Sequence, residues 1–213
     1  MENFGTNTMD LTECNMLGKI IQHAKANNLD IKGLRFKGCY EIQIATQNMD
    51  FETCEFWDSV CLNSKFNKVG FTNITFENCD FSNTDFSECA FSNVKFRNCK
   101  LVGCNFTHTY MRNTFFDNCN ASYSNMSLTN LLNTSFINSK LSNASIQEAK
   151  FRKVDFQYSN LIGIQLFKTS LNGIDLSTCD ITGIIVLPQD LRGVIVDEYQ
   201  AMELSKLLGI IVK

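Results

Sequence analysis

The chain has 213 residues, 19 basic and 22 acidic side chains, a net charge of −3, ten cysteines and a single proline. That length suits one domain. It contains neither an apolar run long enough to span a bilayer nor a signal-peptide pattern, so a soluble, cytoplasmic protein is expected. The small net charge conceals a segregation. Residues 50–88 carry −6, residues 89–170 carry +6, residues 171–213 carry −3 and the first 49 are neutral.

In chain order, Leu17, Ile20, Ile21 and Ala24 recur at helical spacing with Thr12 available as a cap. Residues 13–27 are therefore expected to form a short amphipathic helix that covers the open end of a repeating scaffold beginning near residue 31. Residues 1–30 form this N-terminal cap. Between Phe36 and Phe51 lies a stretch, 40–48, in which the five-residue spacing of the scaffold puts Glu41 and Thr46 where apolar residues belong. This stretch is either a distorted coil or a loop extruded from the scaffold, and loops on rigid scaffolds concentrate contacts.

From Phe51 to Leu191 every fifth residue is apolar over 29 consecutive positions, and only Cys61 and Ala121 among them are small. A period of five belongs neither to a helix nor to a flat strand. It requires a repeating backbone unit. Two residues before each centre stands a small or β-branched residue (Cys54, Ser59, Ser64, Val69, Cys79, Thr84). Two apart on an extended segment means the same side, so both point inward and the polar residue between them points out. Each unit ends mostly in Asn or Gly, such as Asn73, Asn78, Asn93 and Gly103, residues that tolerate the positive φ of a corner. Four sides close a coil of about twenty residues, and coils stack at ~4.8 Å. The fold class is all-β, a right-handed quadrilateral β-helix over residues 31–196. Stacking by twenty would align Asn73, Asn93, Asn113 and Asn133 as one amide ladder. Most of the cysteines fall in the inward small slot and act as small buried hydrophobes.

Past Pro188 the pattern closes with Asp190-Leu191-Arg192-Gly193-Val194. Then Asp197 and Gln200 form a capping-box pair for a last helix. Tyr199, Met202, Leu204, Leu207 and Leu208 line that helix, Gly209 ends it, and Ile210 and Ile211 continue as an exposed apolar strand. Residues 197–213 thus offer more apolar surface than one coil end can cover, which points to a two-fold dimer interface.

The units Cys79-Asp80-Phe81-Ser82-Asn83 and Thr84-Asp85-Phe86-Ser87-Glu88 resemble those of the pentapeptide-repeat family. The C-terminal run Asp190–Val194 with Asp197, Tyr199-Gln200-Ala201 and Leu208-Gly209-Ile210 is similar to the signature of its Qnr-type quinolone-resistance branch. That resemblance implies a non-enzymatic homodimer, joined through its C-terminus. It further implies binding to DNA gyrase or topoisomerase IV, partly by DNA mimicry, and protection from fluoroquinolones. The outward acidic residues Asp50, Glu52, Glu55, Asp58, Glu77, Asp80, Asp85 and Glu88, with Trp57 beside them, are the candidate contacts, and Tyr40, Glu41, Gln43 and Gln47 the loop candidates. The unbroken register leaves no room for the larger loop of such relatives. The +6 middle section departs from a uniform DNA mimic. Rival expectations are an interaction scaffold for another protein or a self-immunity factor against a natural topoisomerase toxin. His23 and His108 have no nucleophile or acid partner by spacing, and no phosphate loop, triad or metal-ligand spacing occurs. No enzyme activity, cofactor, metal, membrane association or direct nucleic-acid binding is expected.

Overall fold

The computed structural model of the protein describes residues 11–212. The first ten residues of the expected N-terminal cap and Lys213 lie outside them. The five-residue period builds a right-handed, four-sided parallel β-helix whose register advances by twenty: Phe51 pairs with Phe71, Phe71 with Phe91, and then Met111, Leu131 and Phe151 continue the column. Phe51 and its successors line a first face, the Phe56 column a second, Cys61 a third and Phe66 a fourth. Long strands such as Gly70–Glu77, Ala90–Arg97 and Tyr110–Asp117 run through the corner between the first two faces. The other two faces are mostly held by single bridges such as Asp80↔Lys100 and Asp85↔Asn105.

Corners take positive φ as expected, including at Asn73, Asn93 and Gly103. The same conformation is imposed on side chains that resist it, notably Thr53 (φ 53°) and Leu128 (φ 60°). Asn93 donates to Asn73 at 3.0 Å, Asn113 to Asn93 and Asn133 to Asn113, each at 2.8 Å, so the amide ladder is made.

Inside, phenylalanines stack from coil to coil at 4.7–4.8 Å between centroids (Phe76–Phe96, Phe96–Phe116, Phe116–Phe136) and meet edge-on within the phenylalanine-rich coil of Phe76, Phe81 and Phe86. Nine of the ten cysteines are buried and all are free thiols. Their weak donors reach carbonyls one coil back, as Cys104 Sγ does to Phe81 O at 3.0 Å. Burial pushes the Cys89 and Cys104 thiols up to about 12.

At the N-terminus helix α1 spans Leu17–Asn27 and buries Leu17, Ile21 and Ala24 in the core. Thr12 is not its cap. Thr12–Cys14 instead forms a strand paired with Leu34–Phe36, an extra rung on the second face. The stretch 40–48 is an in-register coil and not an extruded loop: Tyr40–Ile42 pairs with Val60–Leu62 and Ala45–Gln47 with Lys65–Asn67. Glu41 tolerates the inward position because its carboxylate accepts the Gly18 N–H of α1 at 2.8 Å, capping a helix start that has no side-chain cap of its own. A Cβ on Gly18 would meet that carboxylate at 2.9 Å. Thr46 is buried with its hydroxyl on Met49 Sδ.

At the other end helix α2, Glu198–Ser205, begins with the expected Asp197/Gln200 capping box. Gln200 also donates to the carbonyls of Leu176 and Cys179, at 2.8 and 2.7 Å, which fastens the helix over the last coil.

One discontinuity interrupts the ladder. Between the strand Lys150–Gln157 and residues 170–177 of the next coil, no bridge or backbone–backbone hydrogen bond forms on the first two faces among the described residues. The same two coils stay joined on the third and fourth faces through Asn160↔Asp180 and Gln165↔Ile185.

Candidate protein-docking surfaces

The eight candidate carboxylates cluster along the axis, yet the four-sided backbone spreads them around it. Asp50 and Glu52 lie on the first face and Glu55, Asp58 and Glu77 on the second. Asp80 lies on the third, Asp85 and Glu88 on the fourth and its corner. Stacking by twenty brings bases onto half of them: Glu52 meets Lys32 at 2.8 Å, Glu55 meets Arg35 at 2.7 Å, Asp80 meets Lys100 at 3.6 Å and Glu88 meets Lys68 at 3.5 Å. The net −6 of residues 50–88 is therefore partly compensated at the surface, because bases outside or within the block stack onto its acids. Writing the sequence in rows of twenty would have revealed these pairs, since the partners share columns.

Asp85 is a structural carboxylate. Asn67 and Asn105 donate to it at 2.8 and 2.9 Å and the Ser87 N–H at 2.9 Å. Burial raises its pKa, but these hydrogen bonds outweigh that and hold it below the ordinary carboxylate value. Asp50 lies folded over Gly70, where a Cβ would sit 2.2 Å from its Oδ1.

The cluster that remains is on the second face. Trp57 and Glu77 are register partners on adjacent coils, and Asp58 stands at the neighbouring corner. Asp58 and Glu77 have no basic side chain within ion-pair distance among the described residues. They accept instead from the neutral amides of Asn78 and Asn98. Trp57 is 36% exposed, with the Arg35 guanidinium 5.3 Å from its ring. A large aromatic flanked by two carboxylates that no base contacts directly, although Arg97 is the register partner of Glu77 on the next coil, is a suitable anchor for a basic protein surface.

Of the residues assigned to the first loop, Tyr40, Gln43 and Gln47 are exposed. Glu41 is withdrawn from that group, because the α1 terminus consumes its carboxylate. At the C-terminal end Tyr199, Met202, Leu207, Leu208, Ile210 and Ile211 are exposed, Ile211 by 84%. Leu204 is not among them. It is 8% exposed and faces the barrel end with Gln200, four residues before it on the helix. The expected strand after Gly209 is absent, and residues 210–212 carry no ladder partner among the described residues.

Among the described residues no cluster of His, Cys, Asp and Glu is placed to hold a metal ion, and no helix is long and apolar enough to cross a membrane. The sequence profile of the family described as "Pentapeptide repeat region" matches residues 49–126 and 90–166. No curated protein matches the chain. Among solved structures, QnrB1, a plasmid-mediated fluoroquinolone resistance protein, aligns at 18% identity over 83% of this chain and 100% of its own, with a TM-score of 0.47. HetL, a pentapeptide repeat protein involved in heterocyst differentiation regulation in the cyanobacterium Nostoc, aligns at 12% identity over 84% and 93%, with a TM-score of 0.28. A pentapeptide repeat protein from the thylakoid lumen of Arabidopsis thaliana aligns at 20% identity over 58% and 68%, with a TM-score of 0.26.

Proposed function

This chain belongs to the pentapeptide-repeat family, and on that footing we propose that it is a non-enzymatic, cytoplasmic protein that binds DNA gyrase or topoisomerase IV and lessens fluoroquinolone inhibition. The observation that carries the reading is the C-terminal module. Its residues resemble the Qnr-type signature, and the module fastens α2 to the last coil while leaving seven large apolar side chains exposed, Val212 included. We assign that patch to a two-fold, end-to-end homodimer. Two rods of about eight coils at ~4.8 Å would together reach roughly 80 Å.

Partial DNA mimicry then has a specific location. Half of the acidic candidates are neutralised by bases one coil away. Topoisomerase contact therefore falls to Trp57, Asp58 and Glu77 on the second face. The negative charge there would meet a basic groove built for phosphates.

A gyrase supercoiling assay with ciprofloxacin, into which the purified protein is titrated, tests the function. Restored supercoiling is expected; no restoration at any ratio, together with no binding to either enzyme, would sink it. The contact surface is tested separately by Trp57→Ala with Asp58→Lys and Glu77→Lys. Rescue should be lost with the melting temperature unchanged, whereas full rescue removes the second face from the interface.

A further inference from the structure

The open seam between the coils at 150–157 and 170–177 holds a cavity of about 510 Å³. By the register of other coils, where Leu141 N donates to Asn160 O and Asn143 N to Ile162 O, the Phe151 and Lys153 amides would donate to Ser170 and Asn172 carbonyls. Neither bond forms, so amides and carbonyls line the gap unpaired. The floor is apolar. Phe151 is the one centre between Phe51 and Val186 that is not fully buried, and Val154 and Ile174 lie beside it in the same cavity. The rim is basic. Lys150 and Lys153 have no carboxylate within ion-pair distance among the described residues, and Lys168 shares its charge with Glu148 at 3.1 Å.

We propose that this seam is a docking groove for an extended acidic peptide segment that alternates apolar and acidic residues. An extended chain has both backbone donors and acceptors, so it can pair with the open ladder edge by strand addition. Its alternate side chains point to opposite sides. One set meets the floor at Phe151, Val154 and Ile174, and the other places carboxylates against Lys150 and Lys153. A nucleic-acid backbone fits less well, since its phosphates are acceptors only and would face the open carbonyls and apolar floor. The groove lies on the first face near the C-terminal end, away from Trp57, Asp58 and Glu77. The inference is independent of the topoisomerase reading.

The test is fluorescence anisotropy of the full chain with a labelled peptide alternating valine with aspartate or glutamate. Binding is expected to weaken at least ~10-fold, about 1.4 kcal/mol, in Lys150→Glu/Lys153→Glu. It should be unchanged in Lys140→Glu on the third face, with all variants melting like the parent. The same peptide N-methylated at alternate residues should lose affinity, and hydrogen exchange at the Phe151 and Lys153 amides should slow on binding. No binding at millimolar peptide, or equal affinity of the parent chain and the double variant, overturns the proposal. Equal affinity for the N-methylated peptide excludes strand addition. A same-length oligothymidylate that binds more tightly, with the same lysine dependence, would replace the peptide with a nucleic acid.

Discussion

Thr53 is a β-branched residue forced into the left-handed region at φ 53°, in a column whose later members are asparagines at Asn73, Asn93, Asn113 and Asn133. For an ordinary L-residue that conformation costs about 1–2 kcal/mol, and asparagine relieves part of it. Thr53→Asn is therefore expected to stabilise the chain by about 1 kcal/mol in denaturant unfolding and to extend the amide ladder by one rung. Asp85 acts through hydrogen bonds. Its folded pKa lies below its unfolded value, so its contribution is complete above about pH 4 and disappears as pH falls through the folded value. Urea midpoints measured from pH 5 down to about pH 2 should fall less steeply for Asp85→Asn than for the parent.

At the scale of elements, two polar contacts close the ends of the β-helix. Glu41 reaches from the first coil to the amide of Gly18 in α1, and Gln200 reaches from α2 to carbonyls of the coil that carries Leu176 and Cys179. Removing a cap costs about 1 kcal/mol. Glu41→Ala should lower stability by about that amount and speed amide exchange in the first turn of α1, while leaving exchange in the middle coils unchanged.

For the whole molecule, shape and charge separate. One phenylalanine stack continues from Phe36 to Phe156, through most of the rod, and the buried thiols pack in the same interior. In the native state at neutral pH a thiol reagent should label at most Cys14, and all ten cysteines after unfolding. The assigned dimer is tested by Leu207→Asp with Leu208→Asp. Both side chains are exposed in the single chain, so the variant should fold normally and scatter light as a monomer. A persistent dimer would place the interface elsewhere.

The sequence by itself determined the rod, because a five-residue inward period and corner asparagines are local requirements that every unit repeats. It likewise contained the capping box at Asp197 and the buried role of the cysteines, each legible from spacing alone. Only the tertiary structure decided what became of the exceptions. Glu41 reads as a failed core position until α1 folds back to use its carboxylate. Leu204 looks like its exposed neighbours until Gln200 fixes which side of α2 faces the barrel. The acidic block lost half its free charge because stacking sets side by side residues that lie twenty apart in the chain. The seam, too, was illegible along the chain: the apolar register continues through it without a gap, and the break lies between coils, where the ladder pairs residues distant in sequence.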